Sequence, residues 1–218
     1  MINVLGKENS LFNRFLMELR EVKVQADSLR FRRNLQRLGE IFAYEISKTF
    51  TFKSVEVTTP LGTLEMNLPV ESPVLATILR AGLPLHQGLL NYFDEADSAF
   101  VSAYRKYSKD EKFTIKLDYL SAPSLDGRIL IISDPMLATG GSLIASINGL
   151  LGNGKPKHIH IVCALASDEG IANVKKKYSL KNMTIWVGAI DAELTAKAYI
   201  VPGLGDAGDL AFGVKNDI

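Results

Sequence analysis

The hydrophobic pattern of the chain changes from helical spacing near its start to short apolar runs from residue 74 onward. Runs of consecutive branched apolar residues are typical of strands that are buried on both faces of a parallel sheet. The pattern predicts strands at residues 74–79, 99–104, 129–133, 159–165 and 185–190. Helical segments are predicted near residues 84–92, 142–151 and 171–178. Strands that alternate with helices indicate an α/β fold built from βαβ units.

The first 70 residues follow a different pattern. Apolar residues at helical spacing predict a short helix within residues 9–24 and a long helix that Ser28 caps. Residues 54–68 alternate between polar and apolar side chains, which predicts a small antiparallel ribbon. We therefore expect an N-terminal helical arm and ribbon in residues 1–70, followed by a core that contains the sheet in residues 71–198.

Composition limits the class of protein. The 218 residues suit one large domain with a substantial core, residues 1–218. A net charge of +1 gives no support to a nucleic-acid or membrane surface. The single cysteine, Cys163, cannot form an internal disulfide. Charged residues interrupt the start before a signal peptide could form, and no apolar run is long enough to span a bilayer. We expect a cytoplasmic protein.

The apolar run at 129–133 leads into the turn Thr-Gly-Gly-Ser, which is suited to an anion. Gly140 and Gly141 have no Cβ, so their backbone can come close to a ligand. Ser142 can cap a following helix, whose first N–H groups would point outward. The hydroxyls of Thr139 and Ser142 can donate further hydrogen bonds to phosphate oxygens. The turn therefore predicts a phosphate site at the carboxyl end of a strand.

Asp134 lies between this strand and the turn, where its charge would repel a phosphate. Its carboxylate is better suited to ribose hydroxyls or, through water, to Mg²⁺. No lysine follows the glycines, as a Walker loop would require, and the G-x-G-x-x-G of a dinucleotide site is missing. The combination predicts a sugar phosphate as the ligand.

Residues 134–142, Asp-Pro-Met-Leu-Ala-Thr-Gly-Gly-Ser, resemble the phosphoribosyl-pyrophosphate (PRPP) motif of type I phosphoribosyltransferases, and of uracil phosphoribosyltransferases in particular. Residues 199–209, Tyr-Ile-Val-Pro-Gly-Leu-Gly-Asp-Ala-Gly-Asp, resemble the uracil-binding segment of that family. Ile-Leu-Arg-Ala-Gly at 78–82 and Tyr-Arg at 104–105 also match. The resemblance covers roughly residues 70–213. It implies a type I phosphoribosyltransferase-like parallel sheet flanked by helices, with a small antiparallel ribbon or base-binding hood.

The resemblance also implies an activity, in which the phosphoribosyl group of PRPP is transferred to uracil to give UMP and diphosphate in pyrimidine salvage. Mg²⁺ would arrive as the PRPP complex, and no residue is assigned as a direct metal ligand. The catalytic residues would be Arg105, Asp134 and Asp206. PRPP would contact Arg80, Arg105, Asp134, Pro135, Met136, Leu137, Ala138, Thr139, Gly140, Gly141, Ser142 and Asp206. Uracil would contact Tyr199, Ile200, Gly205, Asp206 and Ala207.

Residues 199–213 contain few large side chains, so they are suited to recognise a ligand with the main chain. A uracil ring presents two carbonyls and two N–H groups that backbone groups can match. Two features depart from the family pattern. Leu210 follows Asp209 where the family often has a basic residue, and residues 106–112 lack the usual sequence of the family's mobile loop.

Four arginines, Arg30, Arg32, Arg33 and Arg37, give the predicted long helix a basic face. This face is solvated, or it is a subunit contact or an effector-phosphate site. The resemblance implies a homo-oligomer, a dimer or larger, and a possible GTP effector. Two alternatives remain open. One is a non-catalytic regulator on the same fold that senses a nucleotide and binds RNA, although the near-neutral charge argues against nucleic acid. The other is an enzyme for a different oxo-base such as xanthine.

Overall fold

The computed structural model describes residues 1–107 and 113–215, with the backbone alone at 103–107 and 113–116. Its strands are β1 (Ile2–Val4), β2 (Phe52–Thr59), β3 (Gly62–Pro69), β4 (Val74–Leu79), β5 (Asp97–Tyr107), β6 (Phe113–Ser121), β7 (Ile129–Ser133), β8 (Met136–Leu137), β9 (His158–Ser167), β10 (Met183–Asp191), β11 (Glu193–Leu194) and β12 (Ile200–Val201). Its helices are α1 (Leu11–Arg20), α2 (Val22–Gln25), α3 (Ser28–Ser47), α4 (Leu83–Leu90), α5 (Gly141–Leu150), α6 (Asp168–Lys177) and α7 (Ala207–Phe212).

The central sheet has the strand order β1-β10-β9-β7-β4-β5-β6, and the short strand β8 pairs with β9. All of its pairings are parallel except that between β5 and β6, which is antiparallel. Strands β2 and β3 form a separate antiparallel ribbon, and β11 pairs with β12. The sequence prediction of a mostly parallel α/β sheet with a small ribbon is confirmed.

Two hydrophobic clusters fill the space on either side of the sheet. Along β7, Ile129 and Ile131 belong to one cluster, while Leu130 and Ile132 belong to the other. This alternation follows from the period of two along a strand. The first cluster joins the sheet to helices α1, α3, α4 and α7, and the second joins it to α5 and α6. Each face of the parallel sheet is therefore covered by helices, as such sheets require.

The helical arm differs in detail from the prediction. The first helix ends at Arg20, because the carboxylate of Glu21 caps the separate short helix α2. The long helix is capped by Asp27, whose side chain accepts a hydrogen bond from the N–H of Arg30, so the prediction that Ser28 caps it is wrong. In both cases an acidic side chain satisfies N–H groups that have no partner inside the helix.

A buried carboxylate connects the two long helices of the arm. Glu18 of α1 accepts two hydrogen bonds from Arg30 of α3, at 2.8 and 3.1 Å, and one of 2.8 Å from Asn34. These bonds, foremost those from Arg30, lower the pKa of Glu18 to about 2. These hydrogen bonds join α1 to α3.

Candidate active site

The loops that carry the predicted site residues meet at one edge of the sheet. Strands β4, β7, β9 and β10 are parallel neighbours, so their carboxyl ends lie on the same side. The loop 79–82 follows β4, and residues 134–141 follow β7. In open α/β sheets, ligands bind in crevices outside these carboxyl ends. The topology therefore brings two of the predicted ligand loops to adjacent positions.

The turn at residues 138–142, called the phosphate turn after its predicted ligand, is held in its shape by glycine. Gly140 has a φ of +80°, in the left-handed region, and immediately precedes α5. No side chain caps α5, so the prediction that Ser142 caps this helix is wrong, and Ser142 lies inside its first turn. The first N–H groups of a helix lack partners within it, and they carry its positive dipole end. The geometry of this helix start suits an anion, and the phosphate site itself stays a prediction.

Helix α6 supports the turn from behind, a feature that the sequence did not reveal. The hydroxyl of Ser167 donates a hydrogen bond of 2.5 Å to the carbonyl of Ala138 and also accepts one from the N–H of Gly170. Asn173 donates its amide to the carbonyl of Thr139 at 3.1 Å. A Cβ on Gly170 would approach the Ala138 carbonyl oxygen to 2.3 Å. The carbonyls of Ala138 and Thr139 are therefore occupied on this side, and the N–H of Gly141 makes only a long hydrogen bond of 3.5 Å to the hydroxyl of Thr139.

Asp134 is half-buried at the end of β7. Burial raises the pKa of its carboxyl to about 7, and the one opposing contact is a long hydrogen bond of 3.4 Å from the N–H of Met136. The other residues of the predicted motif, Pro135 and Leu137, are buried, and residues 136–137 form β8 against β9. The aspartate is therefore the titratable group of the turn, poised near neutral pH.

Arg80 connects the loop after β4 to the C-terminal segment. Its guanidinium donates to the carboxylate of Asp209 at 3.4 Å and to the carbonyl of Gly213 at 3.2 Å. The side chain is 44% exposed, so it remains accessible to a ligand. The peptide bond between Leu79 and Arg80 is cis. The two motifs that are more than a hundred residues apart in the sequence are thus in direct contact.

The C-terminal segment is more regular than its glycine content predicts. Ile200 lies in β12, and Asp206 caps the helix α7 by accepting hydrogen bonds of 2.9 and 3.0 Å from the N–H groups of Gly208 and Asp209. The second carboxylate oxygen of Asp206 lies 3.8 Å from the ammonium nitrogen of Lys215. Sequence analysis missed this helix, although an aspartate before small and apolar residues is a capping signal.

The predicted uracil-contacting residues lie around a turn between β12 and α7. Ile200 and Ala207 are buried, whereas Tyr199 is 44% exposed. Gly205 has a φ of +93°, and a Cβ there would meet no atom within 4 Å, so its backbone faces open space. An open depression of about 310 Å³ lies beside the turn. Its lining is Gln25, Leu204, Gly205, Asp206, Asp209, Leu210 and Val214.

Two predictions fall partly or wholly outside the described residues. The backbone of Arg105 lies in β5 and pairs with Ile115 of β6, but its side chain is not among those described. Most of the predicted active-site loop, residues 108–112, lies outside the described part of the chain. Arg105 therefore lies within β5, the strand next to β4, and not after it as the predicted strand at 99–104 implies.

The four arginines of α3 do not form one free basic face. Arg30 is paired with Glu18, and Arg37 donates to Asn34 and stacks over the ring of Phe15. Arg32 donates to the carbonyl of Ala211 at 2.6 Å, and Arg33 donates to Gln36. Within the described residues, only Arg32 and Arg33 line a groove, of about 400 Å³, between α3, α4 and α7.

A mostly parallel sheet with helices on both faces and a glycine turn after its central strand places the chain among the α/β proteins. The same fold occurs in a hypoxanthine phosphoribosyltransferase from Staphylococcus aureus, with a TM-score of 0.50 and 14% identity over 75% of this chain and 76% of that one. The chain belongs to the uracil phosphoribosyltransferase family, because the model of that family matches residues 7–214.

Individual relatives agree with this assignment. A uracil phosphoribosyltransferase of Porphyromonas gingivalis is 54% identical over 97% of both chains. The solved structure of the AQ2163 protein from Aquifex aeolicus is 32% identical to this chain and superposes with a TM-score of 0.85. The match covers 98% of this chain and 99% of the AQ2163 chain. Within the described residues, we find no helix that is long and apolar enough to cross a membrane.

Proposed function

We propose that this protein transfers the phosphoribosyl group of PRPP to N1 of uracil and releases diphosphate and UMP. The observation that carries the proposal is the contact of Arg80 with Asp209 and Gly213, which joins a pyrophosphate-type loop to a base-type segment at the edge where the phosphate turn also lies. Family membership over residues 7–214 supports the same activity. The relatives are enzymes by name, and no feature of the described residues favours the non-catalytic regulator.

In the proposed complex, the turn from Ala138 to Ser142 holds the 5′-phosphate of PRPP through N–H groups at the start of α5 and through the hydroxyls of Thr139 and Ser142. Asp134 accepts hydrogen bonds from the ribose hydroxyls. Arg80 and Arg105 neutralise the departing diphosphate. Asp206 would face the diphosphate and the Mg²⁺ that accompanies it. Because diphosphate leaves as charge develops on the ribose, positioning and electrostatic stabilisation supply the catalysis, and no covalent nucleophile is required.

Mg²⁺ fits this arrangement as a partner of the substrate. Asp134 offers carboxylate oxygens, which are the ligands that Mg²⁺ prefers, and Mg²⁺ is usually bound by one or two carboxylates together with substrate phosphates. In residues 1–107 and 113–215, no group of three or more His, Cys, Asp or Glu side chains is placed to hold a metal. We propose that the ion enters with PRPP, where it would screen the charge of the diphosphate.

Uracil is recognised by the main chain of Ile200, Gly205 and Ala207, with Tyr199 at the entrance and Asp206 next to PRPP. Main-chain donors and acceptors have fixed directions, so they distinguish a carbonyl from an amino group. Cytosine would place its 4-amino donor against a main-chain donor and leave buried polar groups unpaired, at a cost of about 1–3 kcal/mol for each mismatch. This arrangement favours uracil over cytosine.

The wider organisation is also part of the proposal. Residues 1–218 form one domain, in which 1–70 provide the arm and ribbon, 71–198 bind PRPP and 199–213 bind uracil. The first hydrophobic cluster supports a single domain, because it contains side chains from the arm, the sheet and α7. A cytoplasmic location agrees with the single buried thiol of Cys163, and cell fractionation tests it.

We propose that the protein is a homo-oligomer that forms through the ribbon β2–β3. Val55 faces Met66 and Val57 faces Leu64, and these pairs place apolar side chains on one face of the ribbon, where Leu64 and Met66 are each 47% exposed. An isolated two-stranded ribbon is marginally stable in water, so a second copy would bury this face. Light scattering after size exclusion should give a dimer or larger species, and Met66→Lys should weaken it.

A GTP effector is a separate proposal. The groove lined by Arg32 and Arg33 supports it, since two guanidinium groups beside the amide of Gln36 suit phosphate oxygens. Titration with GTP should then raise the rate in the native protein, and Arg33→Ala should remove the increase. An unchanged rate with GTP in the native protein would reject the effector.

The activity is tested by measuring diphosphate release from PRPP and Mg²⁺ with uracil, cytosine, hypoxanthine, xanthine and orotate. Turnover with uracil alone is the expected result. Turnover with xanthine instead would replace the base but keep the reaction. Absence of turnover with every base, together with measurable PRPP or UMP binding and salt-dependent RNA binding, would favour the regulator.

A further inference from the structure

We propose that Arg20 and Asp191 are positioning residues for uracil: their ion pair holds the main chain of the uracil-binding segment from outside that segment. The inference rests on the proposed function. Arg20 is the last residue of α1, and Asp191 is the last residue of β10. Arg20 belongs to the N-terminal arm, so the arm takes part in forming the base site.

The pair has the geometry of a strong, specific ion pair. The two guanidinium nitrogens of Arg20, Nη1 and Nη2, donate to the two carboxylate oxygens of Asp191 at 2.8 and 2.9 Å. The side chain of Asp191 is 8% exposed and that of Arg20 is 23% exposed, so water competes little for either. Although burial opposes its charge, the hydrogen bonds from Arg20 and from Gly203 hold the pKa of Asp191 below its ordinary value. A planar guanidinium fits a carboxylate in this way and a lysine does not.

The same pair occupies both polar main-chain groups of Gly203. Nη1 of Arg20 donates to the carbonyl of Gly203 at 3.1 Å, and the N–H of Gly203 donates to Oδ2 of Asp191 at 2.9 Å. Gly203 is buried and has a φ of +56°, and a Cβ there would come within 2.1 Å of the carbonyl oxygen of Ile200. The turn therefore requires glycine at its centre, and the ion pair fixes that glycine from both sides.

The ion pair of Arg20 and Asp191, together with its two hydrogen bonds to Gly203, forms a clamp that is close to the predicted uracil contacts. Gly203 lies three residues after Ile200 and two before Gly205, whose main-chain groups recognise uracil in the proposed function. A binding group that is held in its bound geometry loses less entropy on binding. The side-chain hydrogen bonds of the pair go to Gly203 and not to the loop 79–82 or to the turn after β7. Loss of the clamp should therefore weaken the binding of uracil more than the binding of PRPP.

The test uses Asp191→Asn, Arg20→Met and the double variant, assayed at a temperature where circular dichroism shows each to be folded. We expect the KM for uracil to rise by about tenfold or more and the KM for PRPP to change by less than about twofold. The two side chains act as one unit on Gly203. The KM for uracil of the double variant should therefore exceed that of either single variant by no more than about twofold. Arg20→Lys keeps the positive charge but cannot donate to both carboxylate oxygens of Asp191 in the same way. It provides the same test if Asp191→Asn, Arg20→Met or the double variant does not fold.

Glu18→Gln is the matched control, since it breaks another buried ion pair of α1, that with Arg30, without touching the C-terminal segment. It should lower the unfolding temperature and leave the KM for uracil unchanged. An unchanged uracil KM in both Asp191→Asn and Arg20→Lys, or an equal rise in Glu18→Gln, would show a merely structural role and overturn the inference. Failure of the native protein to use uracil would instead reject the proposed function.

Discussion

Two residues of the phosphate turn region are unusual, Asp134 in the pKa of its carboxyl and Gly140 in its backbone conformation. Burial without a cationic neighbour raises the pKa of Asp134 to about 7, so its charge changes across the physiological range. Gly140 adopts a φ of +80°, which a residue with a Cβ rarely adopts. Both properties follow from where the fold places the residue, and each gives a prediction at the level of one side chain.

The affinity for PRPP should depend on pH through Asp134. An ionised carboxylate accepts hydrogen bonds from two ribose hydroxyls, whereas the protonated form loses part of that capacity. Between pH 6 and pH 8 the ionised fraction rises from about one tenth to nine tenths, so the affinity of the native protein should rise by about five- to tenfold. Asp134→Asn should bind more weakly and with a flatter profile. Calorimetric titration of both proteins measures this, and identical profiles would contradict the assignment.

Replacement of Gly140 by alanine should weaken the binding of PRPP. The new Cβ would impose strain of about 1 kcal/mol at this φ and would approach the carbonyl of Gly170 to 3.2 Å, so the turn must shift. We expect the KM for PRPP to rise by about tenfold with little change in that for uracil. Gly127→Ala is the control, because Gly127 has a φ of +68° with no atom within 4 Å of its Cβ position. A similar PRPP KM in both variants would refute the prediction.

At the scale of secondary structure, the site is assembled by contacts between elements. Helix α6 supports the phosphate turn through Ser167, and α7 meets the loop after β4 through Arg80. A single hydroxyl at Ser167 performs two tasks, since it caps α6 and also binds the carbonyl of Ala138. The stability of one helix and the shape of the neighbouring turn are therefore coupled.

Ser167→Ala should show this coupling. Loss of the cap should lower the free energy of unfolding by about 1–2 kcal/mol, and release of the Ala138 carbonyl should raise the KM for PRPP by severalfold. Ser10→Ala removes the equivalent cap of α1, where the hydroxyl accepts from Phe12, and it should cost similar stability without any change in that KM. Urea denaturation and steady-state kinetics on both variants distinguish the two effects. Equal KM values would show that the turn keeps its shape without Ser167.

The elements that sequence predicted are those whose signal is local. Four consecutive apolar residues before Asp134 indicate the buried strand β7, and the Thr-Gly-Gly-Ser that follows indicates its turn. Strand β1 was missed because its three residues form a strand only by pairing with β10. The contact of Arg20 with Asp191 joins residues 171 positions apart, so no local pattern could predict it. Such contacts depend on the finished packing of the arm.

At the scale of the whole molecule, buried titratable groups link folding to pH in opposite directions. His86 and His160 are each 3% exposed, and burial lowers their pKa values to about 4 and about 3. His160 accepts a hydrogen bond from the indole of Trp186, and Nε2 of His86 lies 3.2 Å from the hydroxyl of Ser98. Below pH 6.5 the unfolded chain takes up protons at both histidines and the native protein does not. Asp134 has the opposite sign, because its pKa is raised in the native state.

The balance of these groups predicts how stability changes between pH 6 and pH 5. Unfolding takes up about two protons at His86 and His160 and releases about one from Asp134, so these three groups together should lower the free energy of unfolding by roughly 1.4 kcal/mol per pH unit on acidification. Relative to the native protein, Asp134→Asn removes the opposing group and should steepen the slope by roughly 1.4 kcal/mol per pH unit, whereas His86→Leu should make it shallower by a similar amount. Urea denaturation at pH 5.0, 5.5 and 6.0 measures all three slopes. An unchanged slope in Asp134→Asn would mean that its carboxyl is ionised in the native protein, and the pH dependence expected for PRPP would fail with it.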